Sequence, residues 1–163
     1  DRDVSEPSHS NTLAGWREWA QLPDLGIPWI KAKLDTGART SSLHAYSIEV
    51  FERDDVEWVR FRVRPWQASN DDEVEVESAI HDRRRVRSSS GHVQERYVVL
   101  MRLVLVGREV VAEVTLSNRD EMGFRMLIGR EVLRQGFDVS SARSFFGGKA
   151  PKSMRRRNRG KPE

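Results

Sequence analysis

Hydrophobic positions in this chain recur mostly at every second residue, the period of a strand with one buried face. The clearest case is 56–63, where Val56, Trp58, Phe61 and Val63 interleave with charged residues. Residues 43–51 carry a similar pattern, and Glu52-Arg53-Asp54-Asp55 between the two reads as a hairpin turn. Upstream, Trp16, Trp19 and Leu22 begin a first strand or short turn that Pro23-Asp24-Leu25-Gly26 stops. A strand follows over 27–34. Residues 65–72 read as a loop, Val74, Val76 and Ala79 as another strand, and the arginine-rich stretch around Val86 as polar chain. Ser88-Ser89-Ser90-Gly91 is a turn. Residues 97–106 form a long apolar strand, turned at Gly107-Arg108 into an alternating strand over 109–116. The helical period shows only at 130–135, between Gly129 and Gly136. There is no internal repeat. Strand after strand with one short C-terminal helix predicts an all-β sandwich or a small closed barrel.

Composition narrows the chemistry. At 163 residues the chain has room for one domain with tails. Residues 1–12 read as a disordered lead-in, 13–147 as the domain, and 148–163 as a basic disordered tail. The absence of cysteine removes disulfides, thiolate metal sites and cysteine nucleophiles, and suits a reducing compartment. A cytoplasmic location is expected, with export left open by a chain that begins at Asp1. No run of eighteen apolar residues exists, so no helical membrane span is expected. The net charge of +3 is unevenly laid out. Lys152, Arg155, Arg156, Arg157 and Arg159 crowd the end, and Arg83, Arg84, Arg85 and Arg87 form a second run. Aromatic residues are not interleaved with the terminal charges, so a nucleic-acid partner is not expected. RNA association through the tail would show as steep salt dependence.

One loop carries candidate chemistry. The strand 29–34 ends at Asp35, and Thr36, Gly37 and Ala38 follow. A strand fixes the carboxylate in place, while Gly37 lets backbone amide groups approach it. The same triplet could spell an ordinary Asx turn. A second stretch, Met126-Leu127-Ile128-Gly129-Arg130, is an apolar strand running through Gly into a helical turn. A glycine there allows close passage against the acid loop.

Taken in order, several blocks carry a resemblance: Gly15-Trp16-Arg17-Glu18-Trp19, Leu22-Pro23-Asp24-Leu25-Gly26-Ile27, 31–45 around Leu34-Asp35-Thr36-Gly37-Ala38-Arg39-Thr40-Ser41-Ser42-Leu43-His44, Glu95-Arg96-Tyr97-Val98, and 118–130 ending Met126-Leu127-Ile128-Gly129-Arg130. Together they resemble the retropepsin fold of retroviral aspartic proteases. More closely, they resemble a bacterial retropepsin-like family that is also labelled ATP-dependent zinc protease. The resemblance spans roughly residues 13–146.

It implies a small closed acid-protease barrel with Asp35 as catalytic aspartate, assisted by Thr36 and Gly37. A water-activating dyad needs two carboxylates sharing a proton, and this chain holds one Asp-Thr-Gly. A homodimer that sets Asp35 beside its symmetry mate is therefore expected. One carboxylate would act as general base on water while the other, protonated, polarises the scissile carbonyl. The substrate would be an extended peptide or protein segment. Family association with glutamate-ligating enzymes makes an acidic or glutamate-tailed one the expectation.

Substrate contacts are expected from Ala38, Arg39, His44, Arg125 and Arg130, with Ser89, Ser90 and Gly91 as a flap tip. The turn at Arg53-Asp54-Asp55 is the other flap candidate. Three placements are open for Arg39. It could lower the shared pKa of the dyad, or join Lys31, Lys33, Arg125 and Arg130 in a basic cleft, or pair with a structural carboxylate such as Glu131 or Asp120. No metal or cofactor is expected: His44, His81 and His92 lie in separate segments, and neither His-Glu-x-x-His nor a phosphate-cradling glycine loop is present. The alternative reading is a non-catalytic peptide- or protein-binding module on the same fold.

Overall fold

A computed structural model describes residues 10–66, 69, 71–87, 90–118 and 123–158. The strands, in chain order, are β1 (Thr12–Gly15), β2 (Arg17–Leu22), β3 (Ile27–Leu34), β4 (Ser41–His44), β5 (Tyr46–Arg53), β6 (Val56–Val63), β7 (Val74–Ala79), β8 (Asp82–Arg87), β9 (Val93–Leu105), β10 (Arg108–Ser117), β11 (Met126–Ile128) and β12 (Phe137–Ser140). Two helices complete it: α1 (Arg130–Leu133) between β11 and β12, and α2 (Lys152–Asn158) after β12.

Six strands close on themselves in the order β10-β4-β11-β3-β2-β9, with β9 pairing back to β10, which makes the expected closed barrel. Closure satisfies both edges of the sheet. Alternation fills the interior: Val99, Met101, Leu103 and Leu105 of β9 meet Val110, Ala112, Val114 and Leu116 of β10, all buried. β8 adds to β9 outside the ring, β5-β6-β7 form a separate three-stranded sheet, and β1 and β12 pair in parallel.

Strands β3, β6 and β7 match their expected limits, and β9, β10 and β11 lie where strands are expected. The expected continuous strand over 43–51 is two strands. The break falls at Ala45, which is buried and donates its N–H to Ser117 O at 2.8 Å, after which the chain leaves the barrel for the outer sheet. The arginine-rich stretch expected as polar chain is β8, in register with β9 from Asp82↔Val98 to Arg87↔Val93. Ion pairs rather than apolar alternation accompany it, Arg84 to Glu113 at 2.7 Å and Arg83 to Glu57 at 2.5 Å. The basic end departs from the expected disordered tail at Lys152–Asn158, which is helical. Ala150 is buried with Trp19 and Trp66, Met154 packs on that cluster, and Arg155 Nε donates to Ala150 O at 2.9 Å. No helix among the described residues is long and apolar enough to cross a membrane.

Candidate functional site

The acid loop hangs from a parallel pair of strands. β3 and β11 run side by side with Ala32 opposite Met126 and Leu34 opposite Ile128. The ladder reaches one residue further, because Asp35 N–H donates to Ile128 O at 2.9 Å. Leu34 N–H donates to Trp16 O at 2.8 Å on the other side. The Asp35 backbone is thus clamped from both neighbours before the loop begins. The chain then turns: Ala38 N–H donates to Asp35 O at 3.2 Å, and Gly37 N–H donates to Asp35 Oδ1 at 2.9 Å. Asp35 is half-buried while Thr36 and Gly37 are exposed, so the carboxylate faces out of the barrel with one oxygen fixed by an amide.

Gly129 supports the loop from below. Its N–H donates to the buried Ser41 Oγ at 3.0 Å. A Cβ there would lie 2.5 Å from Thr40 O and 2.9 Å from Ala38 O, both backbone atoms. Only glycine lets β11 pass this close. The next amides continue the lacing, with Arg130 N–H on Ala38 O at 2.7 Å and Glu131 N–H on Arg39 O at 3.2 Å. Arg130 also reaches back with Nη1 to Gly37 O at 3.3 Å. Of the three placements open for Arg39, the geometry takes the pairing with Glu131: Nε sits 3.1 Å from Oε2. That hydrogen bond, with the guanidinium charge behind it, holds the Glu131 carboxyl below the ordinary glutamate range. Asp120, the other carboxylate considered for Arg39, lies outside the described residues.

Asp35, Thr36, Gly37, Ala38, Arg39 and Arg130 therefore belong to one laced loop pair. His44 and Arg125 lie at the other end of β11, since His44 N–H donates to Arg125 O at 2.8 Å. That is about 13 Å along the strand from Gly129. Arg125 Nη1 lies 3.3 Å from His44 Nδ1, and Nε and Nη2 reach Trp66 O. Ser90 and Gly91 are in the turn between β8 and β9, where Gly91 has φ +88° and open space around its Cα; Ser89 lies outside the described residues. The other flap candidate is a tight turn in which Asp54 and Asp55 both have positive φ, and Arg53 is bound by Glu77 at 2.6 Å. Lys31 is not part of the acid loop. It lies four residues upstream on β3 with its Nζ 5.4 Å from the Trp19 ring. No group of three or more metal-binding side chains forms among the described residues.

Sequence reasoning passed over three supporting residues. Trp16 holds β3 through its carbonyl and packs edge-on against Phe124, with ring centroids 6.3 Å apart. Ser41 holds Gly129. Glu18 is fully buried, and its carboxylate accepts N–H groups from Gly15 (2.7 Å), Phe146 (2.8 Å) and Gly147 (3.0 Å). The available signal for Glu18 was a carboxylate between Arg17 and Trp19 in a strand, which demands partners if it points inward.

Comparison with known proteins places the chain in a family. A family model described as "RimB-like: Retropepsin-like aspartic endopeptidase RimB" matches residues 13–150. A protein of Shewanella halifaxensis named "Probable alpha-L-glutamate ligase" is 43% identical over 138 residues, which cover 85% of this chain and 30% of the relative. One of the same name from Parasynechococcus marenigrum is 46% identical over 121 residues, covering 74% of this chain and 26% of the relative. The chain thus spans less than a third of the length of these curated relatives. A crystal structure of a Legionella pneumophila protein of unknown function superposes with a TM-score of 0.70 at 28% identity, over 85% of this chain and 99% of that one.

Proposed function

The chain belongs to the RimB-like family of retropepsin-like aspartic endopeptidases, and from that premise we propose that it hydrolyses peptide bonds with Asp35. The observation that carries the reading is the fixed carboxylate: Asp35 follows β3, its N–H is tied to Ile128 O, and its Oδ1 accepts the Gly37 amide. A preset acid at the mouth of a barrel is what a water-activating site requires. In this proposal two chains meet with their Asp35 loops together, and the pair shares one proton because like charges at that range cannot both ionise. The ionised partner takes a proton from water while the protonated one donates to the scissile carbonyl. Thr36 and Gly37 hold the loop in shape. Ala38, Arg39 and Arg130 border the place a peptide backbone would occupy, and His44 and Arg125 would meet it further along.

The substrate we propose is an acidic or glutamate-tailed segment. Support comes from the relatives that carry this sequence within longer chains named as glutamate ligases, since a hydrolase beside a ligase would act on what the ligase makes.

The test compares wild type with Asp35→Asn on extended peptides, glutamate-rich ones included, between pH 4 and pH 8, a window set by carboxylate pKa values. Cleavage should fall on the order of 10³-fold in the variant. Equal cleavage by both proteins would remove Asp35 from the chemistry.

A further inference from the structure

Many arginines described here are ion-paired. Arg39, Arg53, Arg60, Arg62, Arg64, Arg83, Arg84 and Arg102 all pair with carboxylates. One face does the opposite. Arg17, Lys31, Lys149 and Arg155 converge there, and none of the four has an ion-pair partner among the described residues.

Aromatic rings hold three of the four. The Arg17 guanidinium lies 4.6 Å from the Trp16 centroid and 5.0 Å from that of Phe145. Lys149 Nζ is 5.3 Å from the same Phe145 ring, which stacks on Trp19 at 6.4 Å. Trp19 in turn carries Lys31, and Arg155 enters from α2. Such contacts offset part of the repulsion among cations, about 0.5–1 kcal/mol each at exposed sites. They do not remove it. Burial first, then the charges of Arg17, Arg155 and Lys149, lower the Lys31 pKa below the usual lysine range. The folded chain therefore carries an electrostatic penalty on this face that an anion would relieve.

We propose that Arg17, Lys31, Lys149 and Arg155 form an anion-binding exosite that holds the carboxylates of an acidic peptide segment. The place of the patch suits a peptide engaged at Asp35. Residues 31 and 35 have the same parity along β3, and the ladder persists to the Asp35 amide, so both lie on one side of the strand. Four residues at about 3.3 Å each put Lys31 about 13 Å from Asp35. An extended peptide spans that distance in about four residues. Arg17 lies nearer, opposite Lys33 in the β2–β3 register. The cations would thus read side chains two to four residues from the bond at Asp35.

The aromatic rings argue for a peptide over a single-stranded nucleic acid. Trp19 and Trp66 are buried to 9% and 5% exposure, and Phe145 is flanked by Arg17, Lys149 and Trp19, which leaves bases poor stacking faces. The basic end of the chain also gains a place, since Lys149 and Arg155 belong to the recognition face.

As the substrate end of a cleavage site, the patch rests on the proteolytic reading; as a binding site it can be measured alone. The probe is a fluorescein-labelled hexaglutamate peptide titrated by anisotropy into the full chain carrying Asp35→Asn, with an uncleaved uridine hexanucleotide as the second arm. On that background Lys31→Gln, Arg17→Gln and Lys149→Gln should each weaken the peptide about threefold, and the triple variant about thirtyfold. Arg62→Gln, an ion-paired arginine elsewhere, should leave affinity unchanged. Lys31→Gln should also raise thermal stability at neutral pH, which separates lost binding from lost folding. Peptide affinity indifferent to the triple variant, or absent in the parent, overturns the exosite. Tighter binding of the oligonucleotide through the same residues overturns the peptide assignment. Patch-dependent binding beside an inactive wild type would fail the protease reading and leave the exosite standing.

Discussion

At the scale of single residues, Gly129 and Arg39 show how little freedom the acid loop has. The contacts a Cβ would make at Gly129 are with backbone oxygens of the loop, and neither can rotate away. Gly129→Ala should therefore cost about 3 kcal/mol, or about 6–12 °C in melting temperature for a domain of this size. Unchanged melting would mean that the loop yields. Arg39 tests charge. Because Glu131 titrates below its ordinary range when folded, its pairing stabilises the protein above that range and is lost as pH falls through the lowered value. In Arg39→Gln the Glu131 carboxyl should titrate higher, as followed by NMR of its side-chain carbon. A titration that does not move would show that Arg39 is not its partner in solution. The Asp35 motif was readable from sequence because its residue types each have a local job. The partner of Arg39 was open, since Glu131 is 92 residues away and only the β3–β11 pairing brings it close.

At the scale of elements, legibility followed the source of stability. β6 and β10 bury alternate side chains, so period two shows in their residues. β8 is joined to its neighbours by Arg83, Arg84 and their glutamates, and charge pairs across strands leave no apolar period to read. β12 is four residues long and pairs with β1, and nothing in either sequence names the other. Strand β2 hides its main device, the Glu18 carboxylate. Three amide donors share it inside the fold, so Glu18→Gln replaces an acceptor by an NH₂ group facing N–H donors. The expected loss is about 3 kcal/mol, measured by denaturant unfolding. A loss below about 0.5 kcal/mol, the scale of neutral surface changes, would mean that water takes over the role.

For the whole molecule, the barrel was legible as an architecture because few topologies close a set of short alternating strands. Its second shell was not. The outer sheet of β5, β6 and β7 and the helix α2 depend on where the chain leaves the barrel, which Ala45 and the Trp19–Trp66 cluster decide in three dimensions. The proposed pairing of chains makes a prediction at this scale. If one active site needs two copies of Asp35, specific activity should fall on dilution below the dimer dissociation constant, with rate varying as the square of protein concentration. Mixing wild type with excess Asp35→Asn should then suppress activity beyond simple dilution. A rate strictly linear in concentration across the monomer–dimer transition, followed by sedimentation, would require a single-chain mechanism.

Glu18 has one more consequence, in time rather than in energy. Two of its three bonds fasten residues 146 and 147, and the chain on either side carries Phe145 and Lys149. This clasp can let go while the barrel stays shut, because local openings need far less free energy than global unfolding. The amide protons of Phe146 and Gly147 would then exchange faster than those of β9 and β10. Their exchange rates would report how long the cationic face stays assembled between openings.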